Sequence, residues 1–156
     1  MRRNSTDQNN LEIFLLSIIL VFSQALALVY VYIPSFAGVF FVYAIIHYDN
    51  YKKRYFIYAS FAYLIFYELT RGFYLFSYLL TFLLFYNIFV AKIRNNFSCK
   101  NCISFIYIAC AYIGHYFINT IISIIVNEPT HDFSNHYFYY MLVDWLLCII
   151  LFRGRV

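Results

Sequence analysis

The sequence predicts an all-α integral membrane protein with six transmembrane helices and with both termini in the cytoplasm. Three observations lead to this fold class. Hydrophobic residues make up 64% of the 156 residues and charged residues only 12%, too few polar groups to cover a water-soluble fold of this size. The Lys and Arg residues collect at alternate ends of the apolar stretches. The apolar stretches number six, at residues 11–33, 34–48, 55–69, 72–91, 102–126 and 137–152.

The distribution of positive charge sets the orientation of these segments. Of the eleven Lys and Arg residues, Arg71 alone falls on one face when the chain is threaded across a membrane. Because Lys and Arg near span ends are retained in the cytoplasm, the opposite face is predicted to be cytoplasmic. The other ten are Arg2, Arg3, Lys52, Lys53, Arg54, Lys92, Arg94, Lys100, Arg153 and Arg155.

The first segment, 11–33, resembles a signal peptide at its start, since it follows a basic amino terminus and contains Ala25-Leu26-Ala27. Its apolar character continues to Ile33, which is longer than the apolar region of a signal peptide. We therefore expect a retained transmembrane helix.

The second and third segments, 34–48 and 55–69, are short. Each has 15 residues, about 22 Å as a helix against a hydrocarbon core of about 30 Å. A re-entrant hairpin is the alternative to two short crossings, but it would place Lys52, Lys53 and Arg54 outside. The charges favour two crossings. Pro34 is predicted to be the first residue of its helix, where a missing N–H costs nothing.

The last three segments are long enough for the bilayer. Segment 72–91 has about the required 20 residues, 102–126 is long enough to tilt, and 137–152 precedes a basic tail. The connection 127–136 is the one sizeable outer loop. Almost nothing remains for an extramembrane part, so residues 1–156 are predicted to form a single transmembrane domain.

Glu68, Arg71 and Gly72 lie at the predicted outer turn between the third and fourth segments. Glu68 and Arg71 are three residues apart and can neutralise each other at a helix end. The simpler interpretation is a surface pair that closes a tight hairpin with Gly72. The alternative is that this corner contacts a partner protein.

Asp144, His115 and Asn119 are polar residues near the middle of apolar segments. A carboxyl group in hydrocarbon is costly and usually marks a pairing or a site. Antiparallel helices would bring Asp144 and His115 to a similar depth. The favoured interpretation is an interhelical hydrogen bond that fixes packing. A proton relay, a ligand site and contact with a partner's membrane helix stay open as alternatives.

The remaining motifs predict no metal, cofactor or catalytic centre. Cys99 and Cys102 form a C-x-x-C without the second ligand pair that zinc needs, so we expect two reduced thiols. His131 and His136 lie in the outer loop with a spacing of no established metal site. Motifs of hydrolases, metalloproteases and nucleotide-binding loops are absent from the sequence. The basic residues occur at span ends, which suits lipid headgroups and argues against nucleic acid.

The layout resembles the rod shape-determining protein MreD family. The stretch from Glu68 to Leu75, ELTRGFYL, is similar to the family's D-L-x-x-G-x-x-L-G turn, with Glu68 in place of Asp and Phe76 in place of the second Gly. Pro34 falls where the family tends to open its second helix, and Trp145 precedes a similar basic tail.

The resemblance implies a multi-pass protein of the bacterial inner membrane that acts as a non-enzymatic scaffold in cell elongation. Its partners would be an MreC-like bitopic protein and, through it, MreB filaments and peptidoglycan synthases. Glu68, Arg71, Gly72, His115, Asn119 and Asp144 are the candidate partner-contact or structural polar residues. One alternative is a small-solute carrier or binding subunit with His115, Asn119 and Asp144 in a midplane cavity. The other is a membrane enzyme that uses Asp144 and His115 as acid and base.

Overall fold

The computed structural model describes residues 34–48, 54–97, 99–130 and 134–152, together with residues 22, 24–26, 29 and 30. In these ranges the chain forms helices and short connections, without strands. Residues 22, 24–26 and 29 are also helical. In chain order the full helices are α1 (Ala37–Tyr48), α2 (Arg54–Arg71), α3 (Ser77–Phe85), a π-helical turn (Tyr86–Val90), α4 (Ala91–Asn96), α5 (Lys100–Val126) and α6 (His136–Leu151).

Two helical stretches are long and apolar enough to cross a membrane, namely Ser77–Asn96 with 20 residues and Asn101–Val126 with 26 residues. Only 39% and 33% of their apolar windows are buried inside the fold, so most of this apolar surface faces outward. Ala37–Tyr48 and His136–Leu151 are shorter apolar helices. The described part is therefore all-α with helices suited to a membrane, whereas the six crossings and their orientation stay predictions.

Helix α1 lies at the centre of the described bundle. Eight of its 12 residues are buried, and it packs against α2, α5 and α6. It is only about 18 Å long, shorter than the helices around it. Its ends therefore lie inside the protein, where helix-terminal N–H and C=O groups need partners other than water.

Two predicted helix starts were wrong. Pro34 precedes the second predicted helix instead of opening it, because α1 begins at Ala37 after Phe36 adopts a left-handed φ of 54°. The fourth helix begins at Ser77 instead of residue 72. Gly72 has a φ of +71° and starts a turn, and Phe76 has a φ of 66°. Right-handed helices cannot pass through residues in this conformation.

Helix α5 ends as the sequence predicted, close to residue 126. Asn127 adopts the left-handed conformation with a φ of 58°, and its N–H and that of Glu128 turn back to the carbonyls of Ile124 and Ser123. Asn takes the place of the more common Gly at this type of helix end. The loop that follows leads to α6.

Candidate functional site

Glu68 caps the start of α3 from the neighbouring helix α2. The side chain is 0% exposed. One oxygen, Oε2, accepts a hydrogen bond from the N–H of Phe76 at 2.7 Å. The other, Oε1, accepts from the N–H of Tyr78 at 2.5 Å and from the hydroxyl of Ser77 at 2.7 Å. The first N–H groups of a helix lack intrahelical partners and carry partial positive charge, so a carboxylate suits them on both counts.

This position corrects the prediction of an exposed Glu68–Arg71 pair. Both oxygens of Glu68 face the start of α3, and the cation nearest to them is His115, whose Nε2 lies 3.8 Å from Oε1. Arg71 is at the last turn of α2 and points into a separate cavity described below. The two residues share a corner of the chain but serve different surroundings.

His115 is held against Glu68 by aromatic side chains. Its ring stacks on Tyr78 with centroids 3.8 Å apart and meets the edge of Phe73 at 4.8 Å. Only 2% of the side chain is exposed. The imidazole is therefore enclosed at the start of α3, where neither water nor a substrate reaches it.

Asn119 lies one turn beyond His115 on α5, as the sequence predicted, and joins the same cluster. Its Nδ2 donates to Ser77 Oγ at 2.9 Å and to the His115 carbonyl at 2.9 Å. Its Oδ1 accepts from the N–H of Tyr74 at 3.0 Å. Asn119 thus secures the turn that leads into α3.

Asp144 caps the start of α1 in the same way. Its Oδ2 accepts from the N–H of Gly38 at 2.9 Å and from the Tyr112 hydroxyl at 2.7 Å. The side chain is 0% exposed. The predicted interhelical hydrogen bond between α6 and α5 is therefore present, but its α5 partner is Tyr112. His115 lies one turn further along and pairs with Glu68, so the predicted Asp144–His115 pairing was wrong.

The two capped helix starts are built alike. Phe36 and Phe76 each adopt a left-handed backbone conformation before the helix begins. In each case the carboxylate accepts the N–H of the second residue after that phenylalanine, Gly38 and Tyr78 respectively. Each break inside the bundle thus exposes helix N–H groups, and a buried acid from another helix binds them.

A third polar contact joins the first helical residues to this network. The Ser35 carbonyl, just before α1, accepts hydrogen bonds from Gln24 Nε2 at 2.8 Å and from the Tyr63 hydroxyl at 2.5 Å. Ser35 Oγ lies 3.4 Å from the Tyr112 hydroxyl, which donates to Asp144. Hydrogen bonds therefore run from Gln24 to Asp144 across four helices.

The turn after α2 opens on a polar cavity of about 220 Å³. Gly72 begins this turn, and the Tyr74 hydroxyl in it donates to Glu128 Oε2 at 2.6 Å, which ties the turn to the end of α5. The same hydrogen bond raises the pKa of Tyr74 above 10.0. The side chains that line the cavity include Tyr67, Arg71, Ser134, His136, Tyr137 and Tyr140.

Cys99 and Cys102 form a disulfide at the start of α5, which differs from the predicted pair of reduced thiols. Cys99 is the N-cap residue, and its sulfur also accepts from the N–H of Cys102 at 3.4 Å. The spacing C-x-x-C places both side chains on the first turn. Cys110 and Cys148 are free thiols.

Within the described ranges, no group of three or more His, Cys, Asp or Glu is placed to hold a metal ion. His131 and Asp132 of the outer loop lie outside the described residues. The four cavities of the described part are lined by residues other than His115, Asn119 and Asp144. The polar groups predicted to face a midplane cavity instead bind helix ends.

Comparisons with protein-family models, with curated proteins and with solved structures found no match to this chain. The similarity to the MreD family therefore depends on the residues quoted for it, and the function is argued below from the geometry.

Proposed function

We propose that this protein is a non-enzymatic scaffold of the bacterial inner membrane that acts by binding other membrane proteins. The observation that carries the proposal is the use made of its buried polar side chains. Glu68 and Asp144 bind the starts of two helices, and Asn119 binds the turn before one of them. These groups build a rigid bundle and leave apolar helix faces outward.

The outward faces suit contact with lipid and with other helices. Large apolar side chains are widely exposed along α5 and α6, for example Ile125 at 72% and Ile150 at 72%. Between the rod Ser77–Asn96 and α5 there is an apolar groove of about 310 Å³. Its floor includes Ala109, Cys110 and Gly114, and small residues let a second helix approach closely in a membrane.

The carrier and enzyme alternatives receive less support. A carrier needs a polar cavity at the bilayer midplane, and an acid–base enzyme needs two titratable groups that reach a substrate together. In the described part, His115 is enclosed by aromatic rings and Asp144 is bonded to Tyr112 and Gly38. The resemblance to the MreD family gives the proposal its setting, cell elongation with an MreC-like partner, MreB filaments and peptidoglycan synthases.

The test is affinity purification of the full chain from native membranes in a mild detergent. We expect a stoichiometric bitopic membrane protein to co-purify, and we expect depletion to round the cells. Ala109→Leu, which fills the groove, is expected to remove most of the partner. Ala91→Leu adds the same volume at an exposed position outside the groove and is the matched control.

Purification of the chain alone, together with unchanged cell shape after depletion, would reject the scaffold. Equal partner recovery with both variants would instead move the contact away from the groove. An ordered small molecule that co-purifies with the chain would favour the carrier.

A further inference from the structure

The polar cavity at the corner between α2 and α6 has the chemistry of an anion site. It holds about 220 Å³, with exposed Ser134 and His136 on one side and the buried rings of Tyr67 and Tyr140 on the other. Arg71, at the end of α2, lines it as well and is half-buried. The cavity is thus open to solvent at one side and walled by phenols.

Hydrogen-bond donors reach this cavity from several directions. The Arg71 guanidinium offers a planar set of N–H groups, which matches the oxygens of an oxyanion, and His136 offers an imidazole N–H in either neutral tautomer. Ser134, Tyr137 and Tyr140 add hydroxyl groups. In addition, α6 begins at His136, and the amino end of a 16-residue helix carries partial positive charge.

The nearby described carboxylates bind other partners. Glu68 faces the start of α3 and Glu128 binds the Tyr74 hydroxyl. Among the described residues, the lining of this cavity therefore carries two basic side chains and no carboxylate. The local field favours a negative ligand over a positive one.

We propose that this cavity binds a phosphate group. A phosphate presents three or four oxygens in a tetrahedral arrangement, which uses donors on several sides, whereas a carboxylate presents two oxygens in one plane. Arg and Tyr side chains at the ends of membrane helices lie at the depth of lipid headgroups. The phosphate has two possible sources, an anionic phospholipid headgroup and free phosphate. The site does not depend on the scaffold function.

The experiment measures binding to the purified full chain in a neutral detergent. The three probes are dihexanoyl-phosphatidylglycerol below its micelle concentration, inorganic phosphate, and dihexanoylglycerol, which lacks phosphate. We expect saturable binding of the phospholipid, and about tenfold weaker binding by Arg71→Gln, since hydrogen bonds to charged groups are the strong ones. Arg94→Gln removes an exposed cation from α4 and is the matched control, expected to bind as the natural chain does.

Each outcome decides the proposal. Phospholipid binding that depends on Arg71 supports a lipid source, and binding of inorganic phosphate with the same dependence supports a free one. Equal affinity for dihexanoylglycerol, equal weakening by both Arg variants, or no binding of either phosphate probe overturns the site. If Arg71→Gln does not fold, Tyr140→Phe keeps the ring and removes one donor, and we expect about fivefold weaker binding. An unchanged affinity in that variant also rejects the proposal.

Discussion

Replacement of Glu68 by Ala is the most direct test of the idea that buried acids hold the helix starts. The change removes the acceptor of two backbone N–H groups, those of Phe76 and Tyr78, and of the Ser77 hydroxyl. Glu68 is 0% exposed, so water does not readily replace it.

The expected magnitude follows from the two N–H groups. A buried donor without a partner costs about 1–3 kcal/mol, so the loss of both is expected to lower the free energy of unfolding by roughly 2–6 kcal/mol. The Ser77 hydroxyl can rotate and is left out of this sum. At 2–4 °C for each kcal/mol, a middle value of about 3 kcal/mol corresponds to roughly 6–12 °C in melting temperature.

The assay is the thermal loss of monodisperse protein in detergent, followed by size-exclusion chromatography. Glu128→Ala is the matched control, because it removes a carboxylate that is exposed and accepts from a side chain only. Glu68→Gln keeps one acceptor oxygen and is expected to melt between Glu68→Ala and the natural chain. The reasoning is refuted if Glu68→Ala melts within about 2 °C of the Glu128→Ala control.

Three further predictions test the second helix start and the membrane arrangement. Asp144→Ala leaves the Gly38 N–H without its acceptor and is expected to cost about 1–3 kcal/mol, whereas Tyr112→Phe, which removes one donor to Asp144, is expected to cost less; equal melting of the two variants would contradict this order. Gly38→Ala places a Cβ 2.8 Å from Asp144 Oδ2 and 3.0 Å from Tyr112 Cε2, so we expect overpacking to lower the melting temperature, as measured by the same chromatography. Alkaline phosphatase fused after Arg54 is expected to be inactive in the cytoplasm and active when fused after Asn135; equal activity in both fusions would reject the six-span orientation.

The helices that the structure describes were largely predictable from apolar runs. Segments 55–69, 102–126 and 137–152 correspond to α2, α5 and α6 within a few residues, because uninterrupted apolar sequence leaves the backbone no other way to satisfy its hydrogen bonds in hydrocarbon. The errors lie at helix starts. Phe36 and Phe76 adopt left-handed conformations that Phe rarely takes, and apolar composition does not signal them.

The candidate site was predictable in its members but not in its pairs. Glu68, His115, Asn119 and Asp144 stand out in the sequence because polar groups are costly in apolar segments. A signal for capping was present, since a buried acid needs several donors and a helix that starts inside a bundle offers them. Which acid meets which helix start depends on contacts between α2 and α3 and between α6 and α1, and these have no trace in local sequence.

The amino-acid sequence by itself determined that this chain is helical, apolar on its outer faces and supplied with a few internal acids, because these properties follow from composition and from the order of residues. Only the tertiary structure decided that Asp144 binds α1 through Gly38, 106 residues away along the chain, and that His115 belongs to Glu68. The physical reason is that a hydrogen bond requires its atoms within about 3 Å. The packing of short, broken helices against long ones sets those distances, and that packing is a property of the whole bundle.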